Sequence, residues 1–532
     1  MKLYSKRLRI VMTVILVMLV TMAASGCGGG GTGQNDAGEG QPKIAFYAFN
    51  SEPILDWDPS VEYSNGIVVL NNVYETLLRY EPLSKEVIPV LATEYTKSDD
   101  GLTWTFKIRE GVKFHNGDDL TAEDVKASID RTIALGQGAA FVWDPVEEIV
   151  IKDDYTVDFK LKYPAPLDLI ASSGYAAFIM SSEAIESNPE DWFSQGNVAG
   201  TGPYTLQSFK MGDEVVLTKF EDYWKGWEGE HFDKVVIKKI PETASRRQLV
   251  EKGEADVTME LPYEDIEALK GNPSVNVMEV PSFQNLMVFF NTEKAPLDNK
   301  LVRQALSYAF PYGDVVEYAM GGYAVQGKGP IPVGHWGHGD DLFQYQHDLD
   351  KARELLARAG YPDGGLELLL TYMAGDEAEK KAAELFKAEL AKIGINLEIR
   401  SMPWESQWEL SRNPDPQKRQ DLLIMYWWPD YASPYSWLYS LYHSEEEILF
   451  NLSYWSNAEF DRLIDQGNEM SGIDIEEAEN LYIQAQEILV EEAPTIFAYD
   501  KKYVWVTNSS FKGFKSNPIY PNVVFFYDTY RE

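Results

Sequence analysis

The chain has 532 residues, with 84 Asp and Glu against 47 Lys and Arg, and a formal net charge of −37. That acidity argues against nucleic acid or an anionic membrane face as a partner, since both need a basic surface. Length implies two or three domains with an ample core, and the single cysteine leaves no intramolecular disulfide to hold them. Aromatic residues make up 13%, including 14 Trp and 31 Tyr. Such side chains suit walls that are apolar yet offer polar tips.

The N-terminus carries Lys2, Lys6, Arg7 and Arg9, then an apolar run over 10–24, then Ser25-Gly26. This is the layout of a secretory signal peptide covering residues 1–26. The run is about 15 residues, short of the roughly 20 that span a bilayer. Ala24-Ser25-Gly26-Cys27 resembles a bacterial lipobox, with Ala24 where Leu is usual. The resemblance implies that Cys27 takes a diacylglyceryl group and becomes the mature N-terminus, a lipidation site that anchors the protein to the bacterial membrane. The alternative is ordinary secretion with a free thiol. Cleavage removes four positive charges and no negative ones, taking the net charge from −37 to −41. Residues 27–42 read as a Gly-rich tether carrying that anchor.

Strands and helices then alternate. Residues 103–108 alternate polar and apolar with the period of a half-buried strand. Thr121-x-x-Asp124 opens a helix with Val125, Ile129 and Ile133 on one face. Residues 148–152 and 155–161 read as a hairpin about Asp153-Asp154, and 215–220 and 235–240 as further strands. Helices follow over 350–359 and 376–393, the latter ending at Gly394 before a strand over 395–400. A strand over 422–426 and helices over 457–465 and 475–492 complete an α/β pattern with more than one sheet.

Several segments occur in a fixed order. They are Val73-Tyr74-Glu75-Thr76-Leu77, the block from Asp100 to Val125, Gly200-Thr201-Gly202-Pro203-Tyr204, Tyr223-Trp224, Val302-Arg303-Gln304-Ala305-Leu306 and the helix from Lys351 to Tyr361. In this the chain resembles the family 5 extracellular solute-binding proteins of ABC importers, which include oligopeptide, dipeptide and nickel binders. The resemblance covers residues 43–532. Most of these signature residues read as folding determinants, with Gly200, Gly202 and Pro203 shaping a tight turn.

The resemblance implies an α/β, periplasmic-binding-protein-like, two-lobed hinged fold of the large, cluster C type with an additional domain. Lobe I would comprise 43–72, 186–281 and 502–532, the additional domain 73–185, and lobe II 282–501, with crossings near Pro281-Ser282 and Lys501-Lys502. It also implies a monomer that binds ligand between its lobes and delivers it to ABC transporter permease subunits, without chemistry on the ligand.

The candidate site segment is Trp427-Trp428-Pro429-Asp430-Tyr431-Ala432-Ser433-Pro434. A carboxylate walled by aromatic rings is costly to bury unless a cation or several donors meet it. The segment matches the form Trp-x-x-Asp-Tyr-x-x-Pro of the peptide-binding members, which implies that Asp430 holds a peptide's α-amino group. Asn50, Ser51 and Glu52 stand where the family pairs peptide main chain with a strand. A turn-forming role for Asp430 and a plain surface loop at 50–52 are the structural alternatives.

Arg400, Arg412 and Lys328 are candidate partners for a ligand carboxylate. His335 and His338 sit in a Gly- and Pro-rich stretch without helical spacing, so they read as solvent-facing and no metal or cofactor is expected. Oligopeptide is the first expected ligand. An oligosaccharide stacked on Trp427, Trp428 and Tyr431 is second, and nickel or a metal chelate third. With no nucleophile elbow, phosphate loop or Cys nucleophile, a secreted hydrolase is the remaining reading from another class.

Overall fold

The computed structural model describes residues 42–81 and 86–532. The signal peptide, Cys27 and nearly all of the tether lie outside the described residues.

Strand β1 (Ile44–Phe49) leads into a small sheet built from β2 (Ala92–Lys97), β3 (Thr103–Ile108), β4 (Val146–Asp153) and β5 (Thr156–Leu161). These four run antiparallel in the order β2-β3-β5-β4. Trp104, Phe106 and Ile108 point inward at alternate positions of β3, as its period-two pattern requires. Helix α1 (Ala122–Leu135) covers this sheet; it opens on the Thr121–Asp124 capping box and stops at Gly136, whose φ of 59° is left-handed. The Thr121 backbone N–H donates to the Asp124 carboxylate over 2.8 Å.

The large sheet is built from β6 (Tyr204–Lys210), β7 (Glu214–Lys219), β8 (Lys234–Lys239), β9 (Val257–Met259), β10 (Val275–Phe290), β11 (Leu366–Met373), β12 (Ile395–Met402), β13 (Leu422–Trp427) and β14 (Thr495–Asn508). With β1 and the short Ala324–Gln326 they make one sheet, eleven strands among the described residues. Its path is β12-β11-β13-β10-β14-β9-β1-β8-β7-β6, with Ala324–Gln326 paired to β14 at the side. Helices α2 (Glu377–Ala391), α3 (Trp404–Ser411), α4 (Tyr435–Tyr442), α5 (Ala458–Ser471) and α6 (Ile475–Glu492) follow β10 in the chain.

Strands β10 and β14 form a long antiparallel pair. Pro281 faces Lys502, and the ladder shifts register between Pro281 and Asn285. Such an irregularity bends a sheet locally. On one side of it Tyr47, Trp57, Ile237 and Trp505 build a core, and on the other Val288 of β10 joins Leu306, Leu370 and Phe386. A third apolar cluster joins Phe106 and Phe159 of the small sheet to Trp437, Phe460 and Tyr482 of α4–α6. Burying each such large side chain contributes about 1.5–3 kcal/mol.

Three of the ordered segments noted in the sequence converge on one buried carboxylate. Glu75 accepts hydrogen bonds from the Thr201 hydroxyl (3.0 Å), the Tyr223 hydroxyl (2.8 Å) and the Trp224 indole N–H (2.9 Å). The expected reason for Gly200 and Gly202 needs correction. Neither has a positive φ; a Cβ at Gly200 would stand 2.2 Å from the Val73 carbonyl oxygen, and one at Gly202 2.6 Å from the Val73 carbonyl carbon. Close backbone approach, not turn conformation, demands glycine there.

Helix α5 also runs further than expected, to Ser471 instead of Asp465. Its interior Gly467 weakens the helical signal, yet a Cβ there would stand 2.7 Å from the Tyr482 ring of α6. Packing between α5 and α6 therefore overrides local propensity.

Candidate functional site

Strand direction places the site. β11 runs parallel to β12, with Met373 opposite Met402, and parallel to β13, with Leu370 opposite Leu422. Their C-terminal ends therefore lie at one edge, where α2, α3 and the 427–434 segment begin side by side. In the first lobe β1 runs parallel to β8 and β9 and ends at Phe49, delivering Asn50 and Ser51 toward the same space. Open α/β sheets bind ligands at the carboxyl ends of their strands.

That space is a cavity of about 460 Å³ walled by residues from before and after the Pro281 bend, with Asn50, Ser51, Tyr175, Trp404, Gln407 and Trp428 among its lining residues. A neighbouring cavity of about 280 Å³ shares Tyr175, Trp404 and Trp428 with it and adds Tyr63, Trp408 and Trp427. Among the described residues, three carboxylates, Glu260, Asp376 and Glu379, line the larger cavity against one cation, Lys501. The Lys501 ammonium donates to Glu260 over 2.7 Å. Burial, then the adjacent Asp376 charge, push Glu379 up to about 8. Burial likewise raises Asp376, with Lys501 pulling the other way.

Asp430, expected to meet the ligand, lines neither cavity: it is buried, 3% exposed, and linked to the smaller cavity's wall through Tyr63. Its carboxylate accepts from the Tyr63 hydroxyl (2.5 Å) and the Ser436 hydroxyl (2.9 Å), while its own N–H donates to Ser436 (2.8 Å). Ser173 donates to its carbonyl over 2.7 Å. Burial pushes the carboxyl up to about 6, opposed by the two hydroxyl hydrogen bonds. Tyr63 and Ser173 lie far earlier in the chain, so Asp430 ties the 427–434 segment to two distant segments.

The other expected site residues divide. Trp428 lines both cavities, Trp427 only the smaller, and Asn50 and Ser51 only the larger. Tyr431 is buried and borders a separate cavity with Tyr163 and Tyr435. Glu52 is turned to Lys239, which with other hydrogen bonds pulls its carboxyl down to about 2. Arg400 pairs with Glu398 (2.6 Å), Arg412 donates to the Ile448 carbonyl (2.9 Å), and Lys328 donates to the Asp340 carbonyl; none of the three lines the cavity.

The histidines expected to face solvent do not. His335 is buried against Phe283 and Trp437, and His338 is held by the Ile331 carbonyl at 2.7 Å. Apolar neighbours from β10 and α4 draw the loop inward. Among the described residues no cluster of three or more His, Cys, Asp or Glu could hold a metal ion.

Residues 86–447 match the bacterial extracellular solute-binding proteins, family 5 (middle). The chain belongs to this family. The probable D,D-dipeptide-binding periplasmic protein of Escherichia coli (strain K12) is 30% identical over 475 residues, covering 88% of this chain and 90% of the relative. Heme-binding protein A of Haemophilus influenzae is 29% identical over 522 residues, covering 92% and 93%. An ABC transporter-associated periplasmic binding protein of Helicobacter pylori, solved in complex with the peptide STSA, superposes with a TM-score of 0.80 at 27% identity, covering 92% of this chain and 98% of that one. The fold is accordingly the two-lobed, hinged α/β fold of these binding proteins, and the chain is the substrate-binding component of an ABC importer.

Sequence reasoning missed several residues of this binding protein's cleft. Tyr63, Ser173 and Ser436 carry no signal until the fold brings them to Asp430. Asp376 reads only as a helix start, a role it also fills by accepting from the Glu379 N–H at 2.8 Å. Gln407 and Trp404 lie on a short helix without a motif. Only the pairing of Met373 with Met402 at the strand ends sets their helices side by side.

Proposed function

We propose that this chain is a lipid-anchored binding protein that captures short peptides between its lobes and presents the closed complex to a membrane permease. The observation that carries the ligand class is Asp430: a buried carboxylate with two hydroxyl donors and, among the described residues, no ion-pair partner. Burying a charge without a counter-charge is costly, and a ligand ammonium would remove that cost. Trp428 and Trp427 beside it add aromatic faces that attract a cation.

Ligand pockets of about 300–1,000 Å³ hold small molecules, and the main cavity lies in that range, so a peptide of a few residues fits better than a long one. The anchor is Cys27, and among the described residues no helix is long and apolar enough to cross a membrane. No turnover is expected.

Isothermal titration with a free tripeptide and its N-acetylated form tests the reading. The free amine should bind at least tenfold more tightly, and Asp430→Asn should abolish that difference. Equal binding of the two forms to the wild-type protein would remove Asp430 as the amine anchor.

A further inference from the structure

The far wall of the main cavity has unmet chemistry. Gln407 is fully buried at 0% exposure and lines the cavity, yet neither its amide oxygen nor its amide nitrogen has a hydrogen-bond partner among the described residues. Leaving such a group unsatisfied costs about 1–3 kcal/mol, so a buried amide with both ends open marks where a partner belongs. Side-chain amides have one acceptor and two donors, and a peptide group offers the complementary donor and acceptor together.

The same wall is acidic. Asp376 and Glu379 begin α2, directly beside α3, which carries Gln407 and Trp404. Lys501, the cation facing them, is committed to Glu260. Among the described residues no arginine lines the cavity and its lysine is taken by Glu260, whereas a positive group meets the Asp376 carboxylate, the Glu379 carboxyl oxygens and the Trp404 ring.

We propose that Gln407, Asp376, Glu379 and Trp404 form a subsite for a basic peptide residue, its main-chain amide on Gln407 and its ammonium or guanidinium side chain against Asp376. This rests on the peptide reading above and narrows it to cationic peptides.

The test is calorimetric binding of three tripeptides that differ only in the central residue: lysine, norleucine and glutamate. The wild-type protein should bind the lysine peptide at least tenfold more tightly than the norleucine peptide, and the glutamate peptide least. Asp376→Asn should reduce the lysine preference to threefold or less. Asparagine caps a helix as well as aspartate, so this change leaves α2 intact. Gln407→Leu should weaken the lysine and norleucine peptides by a similar factor. Equal affinity of the lysine and norleucine peptides for the wild-type protein overturns the subsite while leaving peptide capture standing. Failure of all three to bind overturns peptide capture and the subsite with it.

Discussion

If Asp430 is the amine anchor proposed above, ligand affinity is coupled to pH through this one residue. Its carboxyl is pushed up to about 6 because burial opposes ionisation, so just below neutrality part of the population is protonated. An ammonium ligand requires the ionised form. Affinity for a free-amine peptide should therefore fall as pH drops from 7 to 5, by about tenfold per pH unit once below the carboxyl's titration point. Titration across this range checks it, and Asp430→Asn should flatten the profile. Raised carboxyls also act on stability, and two others lie higher than Asp430. Glu379 is pushed up to about 8 and Asp500 to about 7, both chiefly by burial. Between roughly pH 4.5 and 7 the folded state holds protons that the unfolded chain has released, so stability falls as pH rises, by at most about 1.4 kcal/mol per pH unit per group. Melting temperature should thus be higher at pH 5.5 than at pH 8. The Glu379→Gln, Asp500→Asn pair should flatten that slope, which separates these groups from general acidic repulsion.

At the scale of elements, the segments most legible in the sequence are the ones that build the fold. The capping box at Thr121, the strand over 103–108 and the helix over 475–492 stand where local pattern places them, because each is specified by neighbours in sequence. The cleft was only half legible. Trp427, Trp428 and Asp430 sit in one motif, but their partners Tyr63 and Ser173 are brought in from 367 and 257 residues away. No local periodicity encodes such a meeting. The length of α5 was hidden for a related reason: Gly467 serves a neighbouring helix. Gly467→Ala should cost about 1–3 kcal/mol by overpacking against Tyr482, read as a lowered denaturant midpoint. Glu75→Ala should cost about 2–4 kcal/mol, since it leaves three buried donors without an acceptor.

For the whole molecule, three contacts between distant parts of the chain are expected to hold the cleft without ligand. Tyr63 to Asp430, Ser173 to the Asp430 carbonyl, and Lys97 to the Gly472 carbonyl (2.8 Å) all join the second lobe to earlier parts of the chain. Tyr63→Phe removes the shortest of them, and small-angle scattering of the ligand-free variant should report a larger radius of gyration than the wild type. An unchanged radius would mean that this hydroxyl does not hold the cleft.

Strands β10 and β14 stay paired on both sides of Pro281 and pack against a separate apolar core on each side of it. Neither lobe is therefore a separable module. A protein engineered to contain only one of them would inherit severed strands and a raw sheet edge where its partner strand once lay, the kind of surface that recruits other chains. For this architecture, truncation at the lobe boundary is a recipe for aggregation, whereas grafting at surface loops leaves both shared strands whole.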